Sequence, residues 1–482
     1  MKRLDSHGRL LSIFFAVFLF KFFSLYYYYN LTLCEYPKFY GLFMALSSGD
    51  TFSYFEPIQN YIKYGEYYLT KGDRAYYAVR PPYYGVLYLA LDSFMQESAI
   101  PTAISVINIL FDAASTLAIS IIVGEATKSK GMFYFCLLVS TLSINMSHLA
   151  VYLIPDSLVI SFTTLSLFYC FRAKAECNSR KLIVSSALIA VSIGLRPYIA
   201  LLLPAMIWYS IEHQAVSGLL RMSIRKIVLV LIPIVLIIGP WTVRNYVKYD
   251  SFAPYEYDLI NAYYGEDFVK SPQGAKRRFL TAIGESDIPW DIASAASFFE
   301  PDHSEYKINS KYKFPVWLRE SVPMSQLESI RSMLVTGDVD QVTTNAFDHL
   351  VERIKSESPI RYYLLNNFKR VSYMIGHSGS YYLPISKKFT CFKQYQLIWK
   401  VFESFVYWMA IIFFPLGVFV MIMEKNRFFV PLISLPLSVI VLSAFVIQHS
   451  EYRYFHYAFP AVLISAMIGF RGVALYLVRG RL

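Results

Sequence analysis

Charge is what this chain has least of. Only 16% of its residues are Asp, Glu, Lys or Arg, while 56% are hydrophobic and the mean hydropathy is +0.40. A soluble core of ordinary proportions cannot hide so much apolar surface, which excludes a water-soluble globular enzyme and leaves an integral membrane protein. Acid is the scarcer sign, 34 residues against 45 basic. The surplus does not point to nucleic acid: no recognition motif accompanies it, and the basic residues fall in short clusters between apolar runs, where anionic lipid headgroups and the positive-inside bias account for them. Cysteine is rare too, and Cys34, Cys136, Cys170, Cys177 and Cys391 show neither CxxC nor Cys/His spacing, so no metal cluster is expected. Only Cys34 and Cys391 fall in segments placed outside the membrane, which makes them the pair to consider for a disulfide. No internal repeat and no low-complexity tract is present. The N-terminal apolar run lacks a small-residue cleavage site and reads as a retained anchor.

What is abundant is apolar sequence long enough to cross about 30 Å of hydrocarbon at about 1.5 Å per residue. Ten runs qualify or nearly so: Leu10 to Tyr29, Pro101 to Val123, Met132 to Val151, Ser157 to Phe171, Leu182 to Leu195, Tyr198 to Ile211, Ile227 to Val243, Ile398 to Met423, Phe428 to Val446 and His456 to Val478. With a cytoplasmic N-terminus, the clusters Lys128/Lys130, Arg172/Lys174/Arg180/Lys181, Arg221/Arg225/Lys226, Lys425/Arg427 and Arg479/Arg481 all land inside, together with the C-terminus. That agreement requires Pro82 to Met95, which contains Asp92, to lie at the outer interface without crossing. The expected fold is therefore an all-α polytopic membrane protein of about ten transmembrane helices. A long first external loop (30–100) carries interfacial helices, and a second, mostly helical one follows. The chain divides into an N-terminal membrane module (1–243), an extracytoplasmic segment (244–397) and C-terminal membrane helices (398–482). Within the second loop, DHLVERIKSESPIRYYLLNNFKRVSYMIG reads as amphipathic helix broken at Pro359.

The candidate chemistry lies at the outer ends of these runs. Asp50 ends SSGD, just before the Tyr-rich pattern TFSYFEPIQNYIKYG. It is either a helix N-cap or a general base whose proton affinity is raised at the edge of a low-dielectric region. Arg80 in RPP either anchors the loop to lipid phosphate or clamps a phosphate leaving group with its planar fork. Asp156 in PDSLVISF and Arg196 in GLRPYIALLLP sit where a charge is costly unless it faces a cavity or a partner; for Asp156 a simple N-cap is the competing reading. Arg244 and Asn245 of PWTVRNYVKYD, and Glu451 and Arg453 of HSEYRYFHYAFP, emerge on the same side. Four arginines thus share the face that carries Asp50, as an anionic lipid-linked substrate would require. His449 and His456 flank Arg453 without implying a metal. Tyr54, Tyr76 and Tyr77 are available to stack on sugar rings.

In their order along the chain, the Asp after the first span with its Tyr-rich helix, RPPYYGVLYLAL, PDSLVISFTTLSLFYCFR, GLRPYIALLLP, PWTVRNYVKYD and EYRYFHYAFP resemble the C-type glycosyltransferase superfamily. The resemblance is to bacterial relatives of the protein O-mannosyltransferases (glycosyltransferase family 39) and of the lipid A aminoarabinose transferase, over most of the membrane-embedded chain. It implies transfer of a sugar from a polyprenyl-phosphate donor to a glycan, lipid or protein acceptor on the outer face of a bacterial inner membrane; no cofactor is expected beside the lipid-phosphate donor, and metal dependence stays open. Asp50 resembles the family's catalytic aspartate, and Tyr54 and Glu56 its Tyr and following acid. Arg80 matches the basic residue before Pro, Asp156 the acid at the outer end of a later helix, and Arg244 the Arg of PW-x-x-RN near the donor phosphate. Thr51 stands where the family often has a second acid, and Val79 where the aminoarabinose transferase has one. The expected route is direct displacement at the anomeric carbon with inversion, since nothing in the spacing demands the two carboxylates of a double displacement. Two other classes remain open: a transporter or flippase of lipid-linked saccharides, which would favour polar residues within several spans and repeat symmetry, and an O-antigen polymerase or ligase, whose chemistry would lie in the 244–397 loop.

Overall fold

In the computed structural model all ten apolar runs are helical over most of their length. The structure describes residues 7–35, 41–48, 50–71, 74–77, 80–211, 216–249, 278–284, 314, 316–336, 341–376, 378, 390–391, 393–394, 396–446 and 452–479. Among these, seven helices are long and apolar enough to cross a membrane: Gly8–Glu35, Glu97–Ala126, Asp156–Ala175, Ile224–Lys248, Gln396–Met423, Phe429–Val446 and Phe459–Val478. Two shorter apolar helices accompany them, Lys130–Leu142 and Pro197–Ser210. The protein is helical and membrane-type in composition. Two compact units divide it, one formed by Met1–Glu256, Leu383–Val439 and His456–Leu482, the other by Tyr257–Tyr382 and Ile440–Phe455.

The first unit opens with α1 (His7–Glu35). The loop after it holds two hairpins that an all-helical expectation omitted: β1 (Gly41–Leu42) pairs with β2 (Ala45–Leu46), and, beyond α2 (Thr51–Tyr64), β3 (Leu69–Lys71) pairs with β4 (Arg74–Tyr76). Gly65, with φ +75°, ends α2 as the left-handed C-cap that its sequence predicts. The segment Pro82 to Met95 yields only α3 (Gly85–Asp92), eight residues and roughly 12 Å, far too short to span. There follow α4 (Ile100–Ala126), α5 (Lys130–Leu142), α6 (Asp156–Ala175), α7 (Ser179–Leu195), α8 (Leu202–Ser210) and α9 (Val216–Tyr249). Successive members pack side by side, α4 on α5 and α6, α6 on α7, and α7 on α9.

The run Met132 to Val151 is not one continuous helix. α5 stops at Leu142, and a turn leads to a short 3-10 stretch, His148–Val151. The reason is local polarity. Glu403 captures the Ser143 hydroxyl at 2.8 Å and the Ile144 N–H at 2.7 Å, groups that a continuing helix would have used differently. Lys21 donates to Ser147 Oγ (2.6 Å) and to Asp112 (2.7 Å), and Asn108 donates to the Ala150 carbonyl (3.2 Å). Irregular backbone among apolar helices persists only where the protein satisfies it; Glu403 and Asn108 do so here, and Lys21, paired with Asp112, holds the Ser147 side chain. The turn delivers the chain to Pro155 and the start of α6; Leu153 N–H reaches back to the Leu46 carbonyl, tying this stretch to the first loop.

In the second unit, α10 (Val316–Ser321), α11 (Met324–Thr336) and α12 (Gln341–Glu357) enclose an apolar core that includes Phe279, Ile283, Phe314, Leu318, Phe347, Leu350 and Ile354. Arg278 joins Asp348 through two 2.9 Å bonds, the bidentate geometry that suits guanidinium and carboxylate. The helix breaks before Pro359, as its sequence predicts, and resumes through a π-helical turn, Arg361–Leu365, into α13 (Asn366–Ile375). Of the residues that the sequence places at the outer face, Gly49, Val79, His449 and Glu451 lie outside the described residues, as does most of 251–313.

The C-terminal helices are α14 (Gln396–Met423), α15 (Phe429–Ile440, continued by a π-helical stretch Val441–Val446), α16 (Tyr452–Phe455) and α17 (Phe459–Arg479). α14 and α17 approach most closely through glycine: a Cβ on Gly417 would stand 1.7 Å from the Ser465 carbonyl oxygen, and one on Gly469 would meet the Gly417 backbone at 2.5 Å. Absent side chains let the two backbones touch, the usual device between apolar helices. A disulfide, Cys34–Cys391, joins the end of α1 to the chain just before α14.

Candidate active site

Asp50 precedes α2 as its capping position but makes no side-chain cap bond. The turn is closed by its neighbours: Thr51 Oγ1 accepts from Ser48 N–H at 2.8 Å, and Ser53 donates its hydroxyl to the Asp50 carbonyl at 2.7 Å. The Asp50 carboxylate instead faces two guanidinium groups, Arg80 Nη2 at 3.6 Å and Arg196 Nη2 at 3.9 Å. These are ion-pair separations rather than hydrogen bonds. The Asp50 side chain keeps 23% of its surface exposed, against 15% for Arg80 and 6% for Arg196.

Each arginine is fixed by a different element. Arg80, from the RPP stretch before α3, donates Nε to Ser53 Oγ at 3.2 Å and lies 4.6 Å above the Tyr54 ring. Arg196 follows α7, bonds Asp156 Oδ2 at 2.9 Å and lies 5.5 Å from the same ring. Tyr54 is therefore shared by two cations, an arrangement worth more away from water. Burial raises the Tyr54 phenol above its ordinary value, Arg196 and Arg80 offset part of that, and the hydroxyl stays protonated at working pH.

Asp156 is fully buried at the first residue of α6, with Pro155 in the capping position. It serves Arg196 and receives the Tyr457 hydroxyl from the start of the last helix. The Tyr457 ring stacks on Tyr198 at 6.1 Å. Both acids thus decline the role of helix cap, and they differ in exposure: Asp50 keeps part of its surface accessible, while Asp156 is sealed behind Arg196.

Arg244 does other work. Its Nη1 donates to the Tyr77 carbonyl (2.7 Å) and to Asn245 Oδ1 (2.9 Å), its Nη2 reaches the Tyr67 carbonyl at 3.4 Å, and its guanidinium lies 4.3 Å from the Trp241 ring. Tyr67 then donates its hydroxyl to the Arg80 carbonyl at 3.0 Å, and burial holds that phenol protonated. Arg244 is joined to Arg80 through one tyrosine. Beside it an apolar depression of about 640 Å³ runs along α9, lined by Val235, Leu236, Gly239, Pro240, Val243 and Val247 and ending at Arg244 and Lys248.

Glu56 is turned to the β3 hairpin, its Oε1 accepting from Thr70 N–H at 2.8 Å. Asn245 is buried, with Arg244 as its partner. Arg453 belongs to the second unit, in α16, its guanidinium 5.7 Å from the Tyr454 ring. The His456 ring stands edge-on to His148 at 5.4 Å. Among the described residues no group of three or more His, Cys, Asp or Glu is placed to hold a metal ion.

Sequence reasoning missed Tyr457, Tyr67 and Tyr83. Tyr83 seats its ring where Gly194 has no side chain, a Cβ there being 2.5 Å away, and donates to the Ile237 carbonyl at 3.0 Å, so the RPPYYG stretch is pinned to α7 and α9. It also passed over Lys21, Asp112 and Glu403, for which a signal existed: ionisable residues inside apolar runs. A scan against protein-family models finds no match for this chain, and a search of curated proteins finds none either.

Proposed function

We propose that this protein is a membrane glycosyltransferase that moves a sugar from a polyprenyl-phosphate-linked donor to an acceptor on the extracytoplasmic side of a bacterial inner membrane. The observation that carries the reading is the Asp50 carboxylate, not used as a cap, set against Arg80 and Arg196 over the Tyr54 ring. A carboxylate suits removal of the acceptor's proton as its oxygen attacks the anomeric carbon. The bond from that carbon to the phosphate oxygen breaks in the same displacement. Charge then builds on the departing phosphate, and fixed guanidinium groups stabilise it where water is scarce. Asp156 and Tyr457 act through Arg196, holding it in place. The apolar depression on α9, with Arg244 and Lys248 at one end, fits an isoprenoid chain with its phosphate uppermost.

The sidedness rests on the basic clusters and on cysteine chemistry. Cys34 and Cys391 are bonded, as an oxidising compartment allows, whereas Cys177, exposed after α6 at the other end of that helix from Asp156, is a free thiol. A lipid-linked-saccharide carrier would also place ionisable groups inside spans, and Lys21, Asp112 and Glu403 are so placed. Their partners are one another and the 143–147 turn, which gives them a structural task instead.

The test is incubation of purified protein with a panel of polyprenyl-phosphate sugars, with and without acceptors, scoring released polyprenyl phosphate. Asp50→Asn is expected to lower release by roughly 10²–10⁴-fold with folding intact. Near-normal turnover in that variant removes Asp50 from the base role, and movement of intact donor across the bilayer without release supports a carrier.

A further inference from the structure

The second unit presents an apolar face to its surroundings where a soluble loop would present a polar one. Ile360, Leu364 and Phe368, spaced by four residues, are 69%, 43% and 54% exposed, and Leu365 beside them is 48% exposed. The opposite side of the same helix is buried and polar: Asn366 donates to the Ala282 carbonyl at 2.7 Å, and Arg370, 2% exposed, donates to the Thr281 carbonyl at 2.6 Å. The helix is inverted with respect to a soluble one, with its polar residues inward and its apolar residues outward. From Ser358 to Gly376 there is no acid, while Arg361 and Lys369 add positive charge along the stretch.

Two observations say what covers this face. Phe368 meets Phe445 edge to face, with ring centroids 5.7 Å apart. Phe445 belongs to Val441–Val446, the end of the apolar helix Phe429–Val446, which is long enough to cross a membrane and whose Val446 is 65% exposed. The apolar side of α13 therefore meets the last turns of an apolar helix of membrane-spanning length, and its charge complements anionic headgroups. We propose that Ile360 to Lys369 lies in the membrane interface, its apolar side chains among the upper acyl carbons and its basic residues, Arg361 and Lys369, at the phosphates of anionic phospholipid. The second unit is thereby held down on the bilayer at the Val446 end of that helix, independently of what reaction the first unit performs.

The test uses the full chain carrying Cys177→Ser, the remaining thiols being buried or in the disulfide. A nitroxide is attached at Leu364→Cys, or at Phe368→Cys should the first variant fold poorly. The control label is at Glu352→Cys, whose native side chain is 71% exposed. In vesicles of phosphatidylcholine with phosphatidylglycerol, the label at 364 is expected to collide several-fold more with oxygen, relative to a water-soluble nickel chelate, than the label at 352. Equal ratios at the two sites would mean that the face lies in water, and exclusion of both reagents at 364 would mean that protein covers it. Either result overturns the proposal.

Discussion

Two aspartates that look alike in sequence are separated by burial into different tasks. Asp50 retains about a quarter of its surface and faces two guanidinium groups at more than hydrogen-bond distance; Asp156 retains none and is fully engaged by Arg196 and Tyr457. A sealed carboxylate cannot reach an acceptor, so in the proposed reaction its influence would run through Arg196. Asp156→Asn is expected to lower polyprenyl phosphate release by at least about tenfold, because it removes the nearer and buried of the two carboxylates that face Arg196, while Tyr457→Phe lowers it less. Equal rates for Asp156→Asn and the parent chain would show that Arg196 needs no such support. The positions of Asp50, Arg80, Asp156 and Arg196 were legible because charge beside an apolar run is rare and costly. Tyr457 was not, since nothing local sets it apart from the other 39 of the chain's 40 tyrosines.

At the scale of elements, the helices followed from hydropathy, and the interruption after Leu142 did not. Hydropathy averages over Ser143, Asn145 and Ser147, whereas the break depends on Glu403, 260 residues away from Ser143, and on Lys21 and Asp112 in two other helices. The Lys21–Asp112 pair is buried on both sides, 2% and 8% exposed. Removing one member strands the other charge, so Lys21→Met is expected to cost about 3–5 kcal/mol of stability. The double variant Lys21→Met with Asp112→Leu should recover much of that. Thermal unfolding in detergent measures both; a single variant as stable as the parent would mean that water reaches the pair. The two small hairpins were also illegible, since strands of two or three residues carry no periodicity to read.

For the whole molecule, the arrangement of thiols makes the orientation measurable. In spheroplasts, a membrane-impermeant maleimide is expected to leave Cys177 unlabelled until the membrane is permeabilised, and to label Cys34 and Cys391 from outside only after reduction. Labelling of Cys177 in intact spheroplasts would invert the assignment and place Asp50 in the cytoplasm. The expected orientation comes from the basic clusters between apolar runs, and the segment 244–397 was set apart in sequence, whereas the grouping of Ile440–Phe455 with Tyr257–Tyr382 was not legible there. The stretch Ile440–Phe455 groups with the second unit although it continues an apolar run, because that grouping depends on contacts between distant parts of the chain.

The bridge between Cys34 and Cys391 closes a ring of chain that contains every candidate site residue except those of the stretch 449–457. A single cut anywhere inside that ring leaves the polypeptide in one covalent piece, so a nicked molecule migrates at full mass until a reductant is added and only then falls into two fragments. Proteolysis within the ring has thus to be joined by reduction before the helices after Cys391 lose their covalent link to the one before Cys34.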